Sequence, residues 1–174
     1  MEQQRRPGIG RIAAKYGLIL GVLLFLIFLA GTLTGIKQSW VSATVNAVLL
    51  IVLMVLAHRE FKRTHEGAMR YPQGLGSGTL LTIVATVTQC VLTFVYVKFI
   101  NTGYLAALMQ AQRAALEQRG ISGAQLDQAM AFTSVMMTPV GFVVAALITG
   151  VILGFIVALI VSIFTHVDDP RAVI

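Results

Sequence analysis

Four long stretches of this 174-residue chain contain no acidic side chain, and one basic side chain, Lys98, stands near the end of the third. They run over about 16–36, 41–57, 79–100 and 140–165, and every other charge lies outside them. The hydrocarbon core of a bilayer is about 30 Å thick, so a helix needs roughly 20 apolar residues to cross it. The second stretch is near the short limit; the others exceed it. Backbone N–H and C=O groups in lipid have no water to bond, so stretches of this kind must be helical. A soluble protein burying four such helices would need a large polar shell. With 57% hydrophobic and 11% charged residues, the chain has none. The expectation is an all-α fold, an integral-membrane four-helix bundle forming a single domain over residues 1–174.

The aromatic residues agree with these limits. Tyr16, Trp40, Tyr71, Tyr96 and Tyr104 all fall at or near a stretch end, where amphipathic rings favour the headgroup level. Lys98 can keep its stem in lipid and raise its ammonium to water. The first stretch follows a basic segment, as in a signal peptide. It is too long for one, and Gly31-Thr32-Leu33-Thr34-Gly35 stands where a small-residue cleavage site would be, so it is expected to be retained.

Basic residues set the orientation. Arg5, Arg6, Arg11, Lys15, Arg59, Lys62, Arg63, Arg70 and Arg171 fall on one side, against Lys37, Lys98, Arg113 and Arg119 on the other. The richer side is cytoplasmic by the positive-inside rule, which places both termini and the 58–74 loop inside. The net charge of +6 is thereby explained without nucleic acid, and no aromatic-basic interleaving suggests such a partner. The same residues should attract anionic lipids at the cytoplasmic face. Cys90 is the one cysteine, so no internal disulfide is possible.

Helix faces can be read next. Gly17, Gly21, Gly31 and Gly35 fall within an arc of about 80° on the first span. The fourth carries Ala146, Gly150, Gly154, Ala158 and Ser162 at four-residue steps. Small-residue strips let helix backbones approach closely. The two strips are expected to pack on each other, or to form a homodimer seam. On the third span, Thr79, Thr82, Thr86, Gln89, Thr93 and Tyr96 form a polar stripe with heptad spacing. It should face the bundle interior, with Ser42 and Asn46 of the second span as partners. Interhelical hydrogen bonds, a solute lining selected by Gln89, and threonines bonded back to their own helix are the alternatives.

Between the third and fourth spans the pattern predicts an amphipathic extracytoplasmic helical hairpin over about 103–135. Leu105, Leu108, Gln112 and Leu116 share one face of its first helix; Leu126, Met130, Thr133 and Met137 share one face of its second. Gly120 suits the position after the first helix, and Ser122 to Gln125 reads as a capping box for the second. The hairpin is expected to lie along the membrane surface, either as a lipid-lying belt or as a docking platform for a partner. Pro139 is suited to the first turn of the last span. Tyr71–Gly78 reads as a flexible glycine-rich link, since it matches no phosphate-binding motif.

Catalytic chemistry finds little support. His58, His65 and His166 lie on the cytoplasmic side, the last near Asp168 and Asp169. Their spacing matches no metal motif, and they read as solvated helix ends. No Asp, Glu or His lies within the four stretches, which removes the usual proton relays. No catalytic, metal or cofactor site is expected.

The chain resembles the bacterial four-span family known as domain of unknown function 4199. The resemblance is carried by KYGLILG (Lys15–Gly21), HREFKR (His58–Arg63), YVKFIN (Tyr96–Asn101), RGIS (Arg119–Ser122) and TPVG (Thr138–Gly141). It implies a multi-pass protein of the bacterial inner membrane and supplies no activity or binding residues. Two functions are carried forward. One is a non-enzymatic structural or accessory subunit of a larger membrane assembly, with other membrane subunits as partners. The other is a homo-oligomeric small-solute permease or channel lined by the third-span stripe. An enzyme subunit binding quinone or metal through His58 or His166 is a third option.

Overall fold

The computed structural model describes residues 8–34, 40–64 and 69–165. Those residues form an all-α fold of α1 (Ile9–Thr34), α2 (Trp40–Thr64), α3 (Tyr71–Val95), α4 (Tyr104–Gln118), α5 (Ala124–Met136) and α6 (Pro139–Thr165). A wider turn over Tyr96–Ile100 continues α3, closed by the Asn101 N–H donating to the Tyr96 carbonyl at 2.8 Å. Among the described residues, four helices are long and apolar enough to cross a membrane: α1, α2, α3 with its extension, and α6.

These helices outrun the apolar stretches. α1 begins at Ile9, and α2 continues past Ala57 to Thr64. Most notably, the glycine-rich Tyr71–Gly78 segment is the first part of α3 and not a flexible link. Glycine disfavours helix by about 1 kcal/mol per residue, so local propensity cannot hold this segment. One contribution is a cap: the Arg70 N–H donates to Gln73 Oε1 at 3.0 Å. The other is packing, because Gly74 and Gly78 lie close against Met54, Met69, Ala158 and Ser162, where an added side-chain carbon would be tight.

The chain divides into two compact units, residues 1–89 with 149–174, and residues 90–148. In the first, Ile12, Ala13, Leu20, Ala57, Phe61, Met69, Leu81 and Ala85 form one core cluster among α1, α2 and α3. Met54, Ala158 and Val161 form a second, with Leu50 and Leu75 packed on it. α1 rests directly on α3. A side-chain carbon at Gly17 would lie 2.7 Å from the Leu81 carbonyl oxygen, and one at Gly21 would lie 2.6 Å from that of Ala85. Glu60 ties α2 to α1, accepting from Lys15 Nζ at 3.0 Å and from the Tyr16 hydroxyl at 2.6 Å.

In the second unit, α4 and α5 pack together. α4 ends on Gly120 at φ 80°, with the Gly120 N–H donating to the Glu117 carbonyl at 2.9 Å and the Ile121 N–H to that of Leu116 at 3.2 Å. This is a Schellman ending, which needs a residue free to take positive φ. The capping box expected at Ser122 does not form: Gly123, at φ 60°, is the N-cap of α5 and makes no side-chain cap. At α6 the cap is complete, with the Gly141 N–H donating to Thr138 Oγ1 at 3.0 Å and Pro139 as first helical residue. Losing a hydroxyl cap costs about 1 kcal/mol. Thr138→Ala should lower thermal stability in detergent by that amount, and Thr138→Ser should restore it.

Candidate functional site: a helix ladder and the polar junction at its end

The small-residue strip of α6 packs on α3, not on α1. A carbon added at Gly150 would lie 2.7 Å from Thr86 Cγ2, and one at Gly154 would overlap Thr82 Cγ2. A carbon at Gly78 would lie 3.0 Å from Ala158 Cβ, and one at Gly74 would lie 3.3 Å from Ser162 Oγ. The pairs are therefore Thr86 with Gly150, Thr82 with Gly154, Gly78 with Ala158 and Gly74 with Ser162. Each step is four residues up one helix and four down the other, about 6 Å of rise. This is an antiparallel ladder in which a small residue on one helix receives its partner on the other. The expected pairing of the α1 and α6 strips is corrected accordingly: at Gly17, Gly21, Gly150 and Gly154 the nearest atoms all belong to α3.

The ladder also explains the threonines. Thr82 and Thr86 are buried, with their methyl groups seated in the glycine notches. Their burial needs an outlet for the hydroxyl, because an unbonded hydroxyl in an apolar setting is costly. Thr82 Oγ1 donates to the Gly78 carbonyl at 3.0 Å, Thr79 to Leu75 at 2.8 Å and Thr88 to Val84 at 2.7 Å. Back-bonding to the helix's own carbonyls is thus the outcome for these three. Between α3 and α6 at the levels of Thr82 and Thr86, close contact leaves no width for a solute.

The other predicted positions are distributed as follows. Gln89, Ser42 and Gly31 are half-buried, and Ala146 is exposed. Asn46 is half-buried, and its Oδ1 is enclosed without a hydrogen-bond partner. The carbonyl half of that amide therefore does not bond to the α3 hydroxyls, contrary to expectation. In the second unit, Thr93 and Tyr96 are buried. Gly35, His65 and His166 lie outside the described residues.

Where the ladder ends at Gly74 and Ser162, a polar junction joins α2, α3 and α6. Its centre is His58, only 1% exposed, in place of the solvated helix end expected from the sequence. Its Nε2 lies 3.1 Å from the Gly74 carbonyl oxygen and its Nδ1 lies 2.7 Å from Thr165 Oγ1. A carbonyl only accepts, so Nε2 carries a proton. The Thr165 hydroxyl has a second acceptor within reach, the Val161 carbonyl at 2.8 Å. With neutral imidazole the hydroxyl donates to Nδ1; with imidazolium, Nδ1 donates to Oγ1 and the hydroxyl turns to Val161. Both contacts persist in either state. The Gly74 carbonyl also accepts from Ser77 Oγ at 3.0 Å.

Ser162 Oγ is fully buried there without a hydrogen bond, packed against Gly74. With both ring nitrogens engaged, His58 can ligate a metal or act as a base only by giving up a link to α3 or α6. The arrangement is that of a clasp. The sequence held one overlooked signal for it: His58 continues, at helical spacing, the buried row of Met54, Ala57 and Phe61 on α2.

A family model described as "Protein of unknown function (DUF4199)" matches residues 15–166. No curated protein and no solved structure matches the chain.

Proposed function

Since the chain belongs to the DUF4199 family, whose description assigns no activity, we propose a role from its packing: a non-enzymatic structural or accessory subunit of a larger inner-membrane assembly. The observation that carries this reading is the closure of the α3–α6 seam. Of the polar groups that a carrier would present to its substrate, Thr79 and Thr82 are back-bonded, and Thr82 and Thr86 are wedged into glycine notches. His58, the buried titratable residue of the junction, is engaged at both nitrogens. The same closure weighs against the permease reading, whose lining is the α3 stripe. Broad apolar faces remain for lipid or for other subunits, among them Val41, Val45, Val48 and Val52 on α2 and Ile148, Ile152, Phe155 and Ile156 on α6. In this reading both termini and the 58–74 loop face the cytoplasm, where the basic residues meet anionic lipid.

Purification of the tagged full-length protein in several mild detergents, followed by mass spectrometry, should recover the same membrane proteins in fixed ratio. A bare monomer in all of them overturns the subunit reading. Solute flux through reconstituted liposomes, abolished by Gln89→Leu, would establish the permease in its place.

A further inference from the structure

The hairpin of α4 and α5 carries the next inference. The apolar face expected to rest on the membrane is partly enclosed. α4 and α5 pack together; Leu105 and Leu126 are buried, Leu108, Leu116, Met130, Thr133 and Met137 are half-buried, and Gln112 is exposed. A helix lying flat in an interface keeps one apolar side free along its whole length. Here that side is closed at Leu105 and Leu126 and half-closed at Leu108, Leu116 and Met130.

What remains exposed is sorted along the helix axes and not around them. On α4 no charge occurs before Arg113; on α5 none occurs after Asp127. Residues 104–112 and 128–136 therefore form two uncharged segments of equal length, each about 13 Å of rise. They are the root of the hairpin, next to the ends of α3 and α6. Every charge of the hairpin lies beyond them: Arg113, Glu117, Arg119 and Asp127. The Arg113–Glu117 pair, at 3.0 Å, is exposed on this outer half.

The root exposes large apolar side chains. Phe132 is 71% and Val135 67% exposed, with Met136 beside them. This surface is continuous with membrane-spanning helix, since α6 begins at Pro139 and exposes Val140 one residue later. Phe99 and Ile100 are exposed at the end of α3, next to Lys98, whose ammonium lies 5.3 Å from the Phe94 ring and 5.6 Å from that of Phe99. A lysine flanked by exposed apolar rings suits the boundary where hydrocarbon gives way to headgroups. The occupant that fits the root is therefore the lipid already surrounding α3 and α6. A soluble partner would meet only the charged tip.

We propose that the hairpin stands root-first in the bilayer interface: lipid contacts Phe132, Val135 and Met136, and the Arg119–Gly123 turn is held out in water. The consequence is a short stalk that presents its charged tip beyond the headgroups. This pose replaces the flat one expected from the sequence.

Spin labels placed singly in a Cys90→Ala background test it. Ala107→Cys, Phe132→Cys and Val135→Cys sample the root; Ala115→Cys, Gln118→Cys and Gln125→Cys sample the outer half. All six sites are exposed. The full chain is reconstituted in phosphatidylcholine–phosphatidylglycerol vesicles, and collisions with oxygen and with a water-soluble nickel chelate are compared. Oxygen should dominate at the three root sites and nickel at the three outer sites. A ratio that instead rises and falls every three or four residues, at the same depth in both halves, means a flat hairpin and overturns the proposal. Labels at Phe132 and Val135 shielded from both reagents mean a protein partner, and also overturn it. As a second readout, Phe132→Trp with Trp40→Phe should be quenched by lipids brominated high on the acyl chain; unquenched emission counts against lipid contact.

Discussion

Gly154→Leu should break the α3–α6 ladder and cost the protein about 3 kcal/mol or more of stability. Gly154 is buried, and even a single added carbon would overlap Thr82 Cγ2. Forcing bulk into a packed helix contact costs about 1–3 kcal/mol when neighbours can yield, and more when they cannot. Here the neighbour is a β-branched side chain whose hydroxyl is anchored to Gly78, so it has little freedom to rotate away. Thermal unfolding in detergent, followed by size-exclusion fluorescence, gives the measurement. Ala146→Leu is the control, since Ala146 lies on the same row of α6 but is exposed; it should change little. The milder Gly154→Ala should be rescued by Thr82→Gly, because the two changes act on one contact and their effects should not add. Equal stability of Gly154→Leu and wild type would refute the ladder.

His58→Leu should produce the second large loss, about 1–3 kcal/mol, from two buried hydrogen bonds. Hydrogen bonds between membrane helices average nearer 0.6 kcal/mol, which sets the low end. Leucine fills much of the imidazole volume, so the loss reports hydrogen bonding more than a cavity. The effect should be localised. Amide hydrogen exchange should accelerate in the last turns of α6 and the first turns of α3, because Thr165 and Gly74 lose their tie to α2. His58→Gln retains a donor and an acceptor and should recover part of the loss. If His58→Leu leaves exchange at both helix ends unaltered, the clasp does not hold them.

Several features of the fold were legible in the residue order because they follow from solvent alone. Four stretches without an acidic residue, and with Lys98 as their one basic residue, permit helices in lipid and little else. Gly120 and Pro139 were legible for a similar reason: a positive φ and a missing N–H are properties of single residues. The glycine and threonine rows were visible as well, yet their partners were misassigned. Periodicity tells which residues of a helix share a face, but not which helix lies opposite. The Tyr71–Gly78 segment was misread for a related reason. Its glycines argue against helix until Met54, Ala158 and Ser162 are known to press against them.

His58 shows the same limit. Coming just after an apolar run and before Arg59, it reads as a solvated end, and only its contacts with Gly74 and Thr165 turn it into a junction. Two of the segments that carry the family resemblance hold such contacts. KYGLILG contains Lys15 and Tyr16, which bind Glu60, together with Gly17 and Gly21, which seat on α3. HREFKR supplies His58 and Glu60.

Hydropathy and charge therefore dictated that this chain enters lipid as helices, since transfer free energy is a sum over residues and needs no knowledge of neighbours. The antiparallel register of α3 on α6 and the burial of His58 had to await three-dimensional contacts. Lipid tails are as apolar as leucine, so no hydrophobic force selects partners among membrane helices. Close fit selects them, and fit is a property of two surfaces at once.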